Sequence, residues 1–281
     1  MTESLRYAGQ DCDLLVALHA RRSAEAVFRF AEQRPGRPIV VALTGTDVYR
    51  DIHADRGAQR VLDLATRLIA LQPQARDELE PRWRAKVRVV YQSAPKTPGP
   101  HRPSRRFFNL CVAGHLREVK DPMRAAMAAR LLPEWSRIRV LHAGAAMEED
   151  LGQAARAEQQ INARYRWLGE IPRWKVRRLI ASSHLLVSTS RMEGAGNAVS
   201  EALVDGTPVV ASRISGSIGM LGADYPGYFP YGDTEALARL LVRAETDPRF
   251  YDRLKARCAR RAPLFDPARE KAAWVTILKE L

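Results

Sequence analysis

With 281 residues the chain is long enough for two domains with separate cores, and 46% hydrophobic with 27% charged residues is the balance of an ordinary globular protein. Its sequence has no apolar run long enough to cross a bilayer and no signal-peptide core, which excludes a membrane span and leads us to expect a cytoplasmic protein. A net charge of +13 raises the question of nucleic acid, but the arginines are spread along the whole chain without a recognition motif or an aromatic-interleaved basic strip.

We therefore expect no nucleic-acid partner and a positive field that favours small anionic substrates, with a basic nucleic-acid-binding protein kept as an alternative of another class. Cys12, Cys111 and Cys258 fit neither a disulfide framework nor a metal site, which agrees with a reducing compartment.

In chain order, Asp13–Leu18 reads as a buried parallel strand ending in His19-Ala20-Arg21-Arg22-Ser23. Ser23 then caps a helix to about Glu32, with Ala24, Val27, Phe28 and Phe30 as its apolar positions. Pro38–Leu43 is the next strand, ending in Thr44-Gly45-Thr46-Asp47; a helix follows from about Ala58 to Thr66, then strands at Arg67–Leu71 and Val87–Tyr91. Ligands of such an alternating α/β sheet gather at the carboxyl ends of its strands, where His19, Arg21, Thr44 and Asp47 fall.

Ala94–Ser104 carries four prolines, which suits a linker and neither a helix nor a central strand. A second alternating series follows. Its strands are Leu110–Ala113, ending in Gly114-His115-Leu116-Arg117-Glu118-Val119-Lys120-Asp121-Pro122, then Ile138–Leu141, ending in His142-Ala143-Gly144, then Tyr165–Gly169. Helices are expected from Asp233 to about Arg260, and Asp266-Pro267 opens a last helix with Ala272, Ala273, Val275, Ile277 and Leu278 as its apolar stripe. The reading is two α/β domains with a catalytic cleft between them: residues 1–104 with the linker, residues 105–264, and a terminal helix over 265–281 that crosses back to the first domain.

The most informative stretch lies between the apolar runs Leu185–Val187 and Pro208–Ala211: Ser190-Arg191-Met192-Glu193-Gly194-Ala195-Gly196-Asn197, leading into a short helix. Strand, glycine turn, helix and strand form a βαβ unit of a parallel sheet. Gly194 and Gly196 suit a sharp turn that a ligand approaches closely, and the following helix start offers N–H groups to an anion. Glu201, four positions after Asn197, shares its helix face. A carboxylate on that face accepts hydrogen bonds from two vicinal hydroxyls. Phosphate on the turn with hydroxyl-rich groups on either side is the chemistry this pattern serves.

This Glu-x7-Glu segment, Glu193 to Glu201, resembles the nucleotide-sugar signature of the retaining glycosyltransferases of family 4, which have the two-domain GT-B fold. The resemblance implies an α/β, GT-B-like chain: two Rossmann-type domains whose parallel sheets face each other across a cleft. It also implies that Glu193 and Asn197 hold the donor sugar and Glu201 the ribose. Gly114-His115-Leu116 followed by Lys120 resembles the family's Gly-Arg-Leu-x-x-x-Lys segment, with His115 in place of arginine and Arg117 as its substitute, so Lys120 would grip the diphosphate. The segment around Gly169 resembles the family's uracil-reading backbone, and Ser190 stands where a serine usually precedes the first glutamate. Gly216-Ser217-Ile218 matches part of a further loop, with Met220 replacing its glutamate. His19 corresponds to a strand-end histidine beneath the donor sugar, and Thr44-Gly45-Thr46-Asp47 to the family's His-Gly-x-Asp turn.

The segments Leu18–Ser23, Leu43–Asp51, Gly114–Pro122 and Asp224–Pro230 narrow the likeness to the selenosugar synthases of selenoneine biosynthesis, the SenB-like proteins. That resemblance covers nearly the whole chain. It implies a UDP-sugar donor, most readily UDP-N-acetylglucosamine, selenophosphate or a similar small anion as acceptor, and no cofactor or metal. His19, Lys120 and Glu193 would then be the catalytic set, with His115, Arg117, Gly169, Ser190, Gly194, Ala195, Gly196, Asn197 and Glu201 binding the nucleotide-sugar. Arg21, Arg22, Thr44 and Asp47 would bind the acceptor. Only about a dozen residues precede the His19 strand, where the family has a further glycine-rich βαβ unit, so the first domain is expected to be shortened at its N-terminus. Two further readings stay open: a family 4 transferase with a lipid or saccharide acceptor, and a UDP-sugar-binding protein without turnover. Oligomeric state is not legible in the residues.

Overall fold

A computed structural model of the chain describes residues 3–4 and 7–281. In chain order its elements are β1 (Leu15–Leu18), α1 (Ala24–Gln33), β2 (Ile39–Ala42), α2 (Ile52–Ala54), α3 (Arg56–Leu64), β3 (Arg67–Ala70), α4 (Pro81–Arg84) and β4 (Val87–Val89). There follow β5 (Phe108–Ala113), α5 (Arg124–Arg130), β6 (Ile138–Ala143), α6 (Glu149–Ile161), β7 (Tyr165–Trp167), α7 (Arg173–Ala181), β8 (Leu185–Ser188), α8 (Asn197–Asp205) and β9 (Val209–Ser212). The chain ends with α9 (Ser215–Leu221), β10 (Tyr228–Phe229), α10 (Thr234–Thr246), α11 (Pro248–Arg261) and α12 (Pro267–Lys279). No described helix is long and apolar enough to cross a membrane.

Two compact units result. The first comprises residues up to Gln92 together with Ala268–Leu281; the second is Ser93–Pro267. Unit 1 holds a four-stranded parallel sheet in the order β1-β2-β3-β4. Val27 and Phe30 of α1, Val61 and Leu62 of α3, and Trp83 of α4 bury against one face. Its other face, with Val40, Ala42, Ile69 and Val90, is covered by Ile277, Ala273 and Trp274 of α12. The inward positions 273, 274 and 277 follow helical spacing, so the expected stripe is corrected: Trp274 belongs to it, while Val275 and Leu278 are 42% and 41% exposed. The end of α12 is tied down by Glu280, whose carboxylate accepts from Arg67 and Arg88.

Two other expectations change in unit 1. As the edge strand, β1 is only partly buried, with Leu18 67% exposed. Ser23 does precede α1, but its hydroxyl donates to the Leu18 carbonyl instead of capping the helix. The α3 helix ends at Leu64 because Thr66 turns away to pair with Ile39, through backbone and hydroxyl alike.

Unit 2 holds a six-stranded parallel sheet in the order β10-β9-β8-β5-β6-β7. Its strand order runs outward in both directions from the β5–β8 pair, and the carboxyl ends at such a switch point form the natural crevice of an open α/β sheet. The segments after β5 and β8 are Gly114–Lys120 and Thr189–Gly196. The short β10 was not foreseen, and the Gly216–Ile218 stretch, expected as a loop, lies in the helix α9.

Because Ile277 is 3% exposed and fills a sheet face that no other described helix covers, Ile277→Ala should lower the unfolding free energy by about 2–4 kcal/mol. Urea unfolding would measure it; a loss below about 1 kcal/mol would mean that α12 is dispensable to the unit.

Candidate functional site

At the β5–β8 switch point lies a cavity of about 230 Å³, lined among others by Gly114, His115, Lys120, Ser190, Glu193, Ala195, Gly196 and Asn197. Gly196 is the N-cap of α8, so the unpaired N–H groups and positive dipole end of that helix open onto the cavity. Neither Gly194 nor Gly196 has a positive φ. The turn therefore does not need glycine for its backbone angles, as the sequence suggested. At Gly196 an added Cβ would make only ordinary contacts with Val199 and Glu193, so its service is an open surface above the helix start.

The Lys120 ammonium donates to Glu193 Oε1, and Ser190 Oγ donates to the same oxygen at 2.7 Å. The lysine side chain is 30% exposed and the glutamate 15%, so the pair is partly desolvated and stronger than a free surface pair. Lys120 reaches it from a 3₁₀ turn, Glu118–Lys120, which ends on Asp121 in the left-handed region at φ 44°. That turn is bound to the β8 segment: Thr189 Oγ1 donates to the Lys120 and Asp121 carbonyls at 2.9 Å, and Arg191 N–H to the Val119 carbonyl at 2.9 Å. Two loops far apart in sequence are thus hydrogen-bonded into one cradle at the cavity wall.

Residues with little motif signal hold this cradle. A Cβ on Gly216 would come within 2.0 Å of the Glu193 carbonyl oxygen, so α9 packs against the backbone beneath Glu193 as only glycine allows. A Cβ on Gly144 would meet the Gly114 carbonyl, also at 2.0 Å. His142, fully buried at the end of β6, places Nε2 3.0 Å from that carbonyl and Nδ1 3.1 Å from the Tyr165 hydroxyl. Burial lowers its pKa to about 4, so the ring is neutral at physiological pH and fixes the Gly114 turn by hydrogen bonding alone. His142 and Gly144 were visible as strand-end residues; nothing in one sequence marked them as supports.

The remaining expected donor residues are placed as follows. His115 is exposed, and its Nδ1 accepts from Ala145 N–H at 3.0 Å. Arg117 is exposed. Gly169, at φ 67°, accepts from Gly144 N–H at 2.9 Å with space where a side chain would be. Asn197 is exposed on the cavity wall. Glu201, one turn further along α8, is buried and accepts from Arg173 at 3.2 Å. Arg117, Gly169, Gly194 and Glu201 do not line the cavity itself.

Unit 1 has a constellation of its own. His19, at φ 74°, sits in the left-handed region that a non-glycine residue adopts only under constraint. Its Nε2 lies 2.9 Å from Thr46 Oγ1, and its Nδ1 lies 2.6 Å from Asp47 Oδ1 without the alignment of a hydrogen bond. Burial holds the His19 pKa below its ordinary value and raises that of Asp47, both of which favour a neutral pair. Asp47 is fully buried and accepts from Thr44 N–H and hydroxyl, so it holds the turn together from within. Arg21 is engaged by Asp51 at 3.6 Å and Asp55 at 3.3 Å, while Arg22 is exposed. His19, Asp47 and Asp51 bring one ligand atom each within 4.8 Å of one another, a spacing that a divalent cation spans. Arg21 beside Asp51 already supplies positive charge there.

With this geometry established, the comparisons are specific. Residues 100–262, more than half of the chain, match the family described as glycosyl transferases group 1. HepE of Anabaena, solved with UDP-glucose, superposes with a TM-score of 0.79 at 18% identity, over 96% of this chain and 79% of that one. The sucrose-phosphate synthase of Thermosynechococcus elongatus gives 0.78 at 18% identity, over 98% and 75%. An Escherichia coli protein of the trehalose-6-phosphate system, bound with UDP-2-fluoro glucose, gives 0.77 at 14% identity, over 97% and 74%. At such identities the likeness is one of fold, the two-unit GT-B architecture.

Two outcomes follow from the supports. Because His142 is protonated less readily when folded than its ordinary value of 6.5 allows, its contribution to stability is present above that value and lost on acidification towards about 4. His142 should contribute about 2 kcal/mol to the loss of unfolding free energy between pH 7 and pH 5, which His142→Gln should remove from the total; an unchanged slope in the variant would contradict it. Gly216→Ala should cost about 1–3 kcal/mol through overpacking against Glu193, and a neutral effect would show that the contact relaxes without strain.

Proposed function

This chain belongs to the group 1 glycosyl transferases, and we propose that it moves a sugar from a UDP-sugar to a small anionic nucleophile, selenophosphate. The observation that carries the donor half is the Lys120–Glu193 pair beside the N-terminus of α8. A diphosphate in the cavity meets the helix dipole and draws the ammonium from Glu193 to its own oxygens. Glu193, released from the pair, then accepts from the sugar hydroxyls together with Asn197. Binding of the donor and unmasking of its sugar ligand are one event. That HepE of Anabaena has been solved with UDP and with UDP-glucose supports the same donor here.

In the proposed step a selenium lone pair attacks the anomeric carbon and the carbon–oxygen bond to the diphosphate breaks. UDP leaves with the electron pair, and a carbon–selenium bond remains. An anion needs no strong base to activate it, whereas the charge on the departing diphosphate needs the helix end and Lys120. We assign His115, on the cavity wall, and Arg117, from the resemblance, to the same neutralisation. On the acceptor side we assign Arg22 and Arg21 to the anion and Thr44 to its orientation, with His19 as a neutral hydrogen-bonding group and Asp47 as the residue that holds them. N-acetylglucosamine as the sugar, the selenosugar product, and the absence of a cofactor or metal rest on the resemblance of the segments around His19, Thr44 and Lys120 to SenB-like proteins.

One observation favours a second reading. Arg21 already faces Asp51 and Asp55, and a carboxylate-rich turn suits a hydroxyl-bearing acceptor better than an anion. That is the ordinary family 4 reaction on a saccharide or lipid.

Mass spectrometry of products from UDP-N-acetylglucosamine with and without selenophosphate separates the two. A sugar–selenium adduct formed with UDP release supports the first; donor consumption only with hydroxyl acceptors supports the second, and no turnover with either leaves a binding protein. In whichever reaction is found, Lys120→Met should lower kcat/KM by about 100-fold, and a change below about threefold would remove Lys120 from the diphosphate.

A further inference from the structure

Glu201 is held by a small buried charge network that the family signature does not include. Glu201 and Asp205 stand one turn apart on α8, and Arg177 of α7 reaches between them. Arg177 Nη2 donates to Asp205 Oδ2 at 3.0 Å and to the Pro95 carbonyl at 2.7 Å. Asp205 is fixed in turn by Thr97, whose N–H and hydroxyl donate to it at 2.7 and 2.6 Å. Arg177 Nη1 then stands 3.9 Å from Glu201 Oε1, inside Coulombic range and outside hydrogen-bond reach. The side chains of Arg177, Glu201 and Asp205 are 9%, 9% and 2% exposed, so water screens them little.

The environment of Arg177 is unusual for a purely structural arginine. Its Nε is buried with no hydrogen-bond partner, a cost that a packing role gives no reason to keep. The second cation near Glu201, Arg173, differs in kind: its side chain is 77% exposed and can swing away when a ligand arrives. Arg177 cannot, because Asp205 and the Pro95 carbonyl fix it. Two carboxylates on one helix turn would repel each other without a cation between them.

We propose that Arg177 is a positioning residue for the ribose: it keeps the Glu201 carboxylate aimed, leaving its oxygens free for the two vicinal hydroxyls, while Arg173 covers it until the nucleotide binds. This rests on the reading that Glu201 takes the ribose of a nucleoside diphosphate. Because Arg177 is anchored on Pro95 and Asp205 on Thr97, the proline-rich segment becomes part of the nucleotide site's foundation.

The test compares UDP with 2′-deoxy-UDP by calorimetry on the full chain. A hydrogen bond to a carboxylate should make the unmodified protein prefer UDP by about tenfold or more. Glu201→Leu, which removes the acceptor oxygens, should abolish that preference, and Arg177→Met should compress it to within about threefold, since a misaimed carboxylate no longer distinguishes a missing hydroxyl. A merely structural arginine would weaken both ligands equally and leave the ratio intact. Should Arg177→Met not fold, the double variant Arg177→Met/Asp205→Asn, which removes both partners of the buried pair, is read in its place. A full preference in the Arg177 variant, with loss in Glu201→Leu, overturns the inference alone. A preference that survives Glu201→Leu, or is absent from the unmodified protein, overturns the ribose reading and the inference with it.

Discussion

The structure of the second unit turns on a single carboxylate. Glu193 receives a lysine from the loop after β5 and a serine from its own turn, and its backbone carbonyl lies against a glycine of α9. Two loops at the carboxyl edge of one sheet and the helix α9 are thereby locked to one another. A parallel sheet whose order switches at β5 and β8 leaves a crevice at that edge. The buried chemistry of the unit, from the neutral His142 to the Arg177–Asp205 pair, keeps the crevice in shape. In the donor reading we propose, an incoming diphosphate would trade places with Glu193 for the lysine.

The two units carry unlike electrostatics. In unit 2 the cavity combines a helix N-terminus with Lys120 and His115, a setting that favours negative charge. In unit 1 the turn after β2 gathers Asp47, Asp51 and Asp55 around His19 and Arg21, and its charges largely cancel. The net +13 of the chain is therefore a poor guide to either site. What decides local chemistry is which carboxylates each arginine already faces.

The parallel α/β architecture was legible because its strands are short apolar runs with glycine, proline and polar residues between them, as in Ile39–Ala42 and Val209–Ser212. Asn197 and Glu201 share a helix face that periodicity alone predicts, whereas Glu193, in the turn before α8, was joined to them by the resemblance of the Glu-x7-Glu segment. What escaped notice depends on contacts between segments remote in sequence. Gly216 carries no positive φ and reads as an ordinary loop residue until the Glu193 carbonyl is found against it. Arg177 carried no motif signal, and Trp274 fell outside the expected apolar stripe, because the partners of both are remote in sequence. The glycines at 194 and 196 erred in the opposite direction: a glycine-rich turn suggested special backbone angles, and the structure has none there.

The central claim is that a diphosphate displaces Glu193 from Lys120 at the start of α8. A crystal structure with UDP bound tests it most directly. The account predicts phosphate oxygens at the N-terminus of α8 within hydrogen-bonding distance of Lys120 Nζ, with the Lys120–Glu193 contact opened and the ribose hydroxyls on Glu201. Nucleotide bound away from that helix end, or bound there with the ion pair intact, would contradict it.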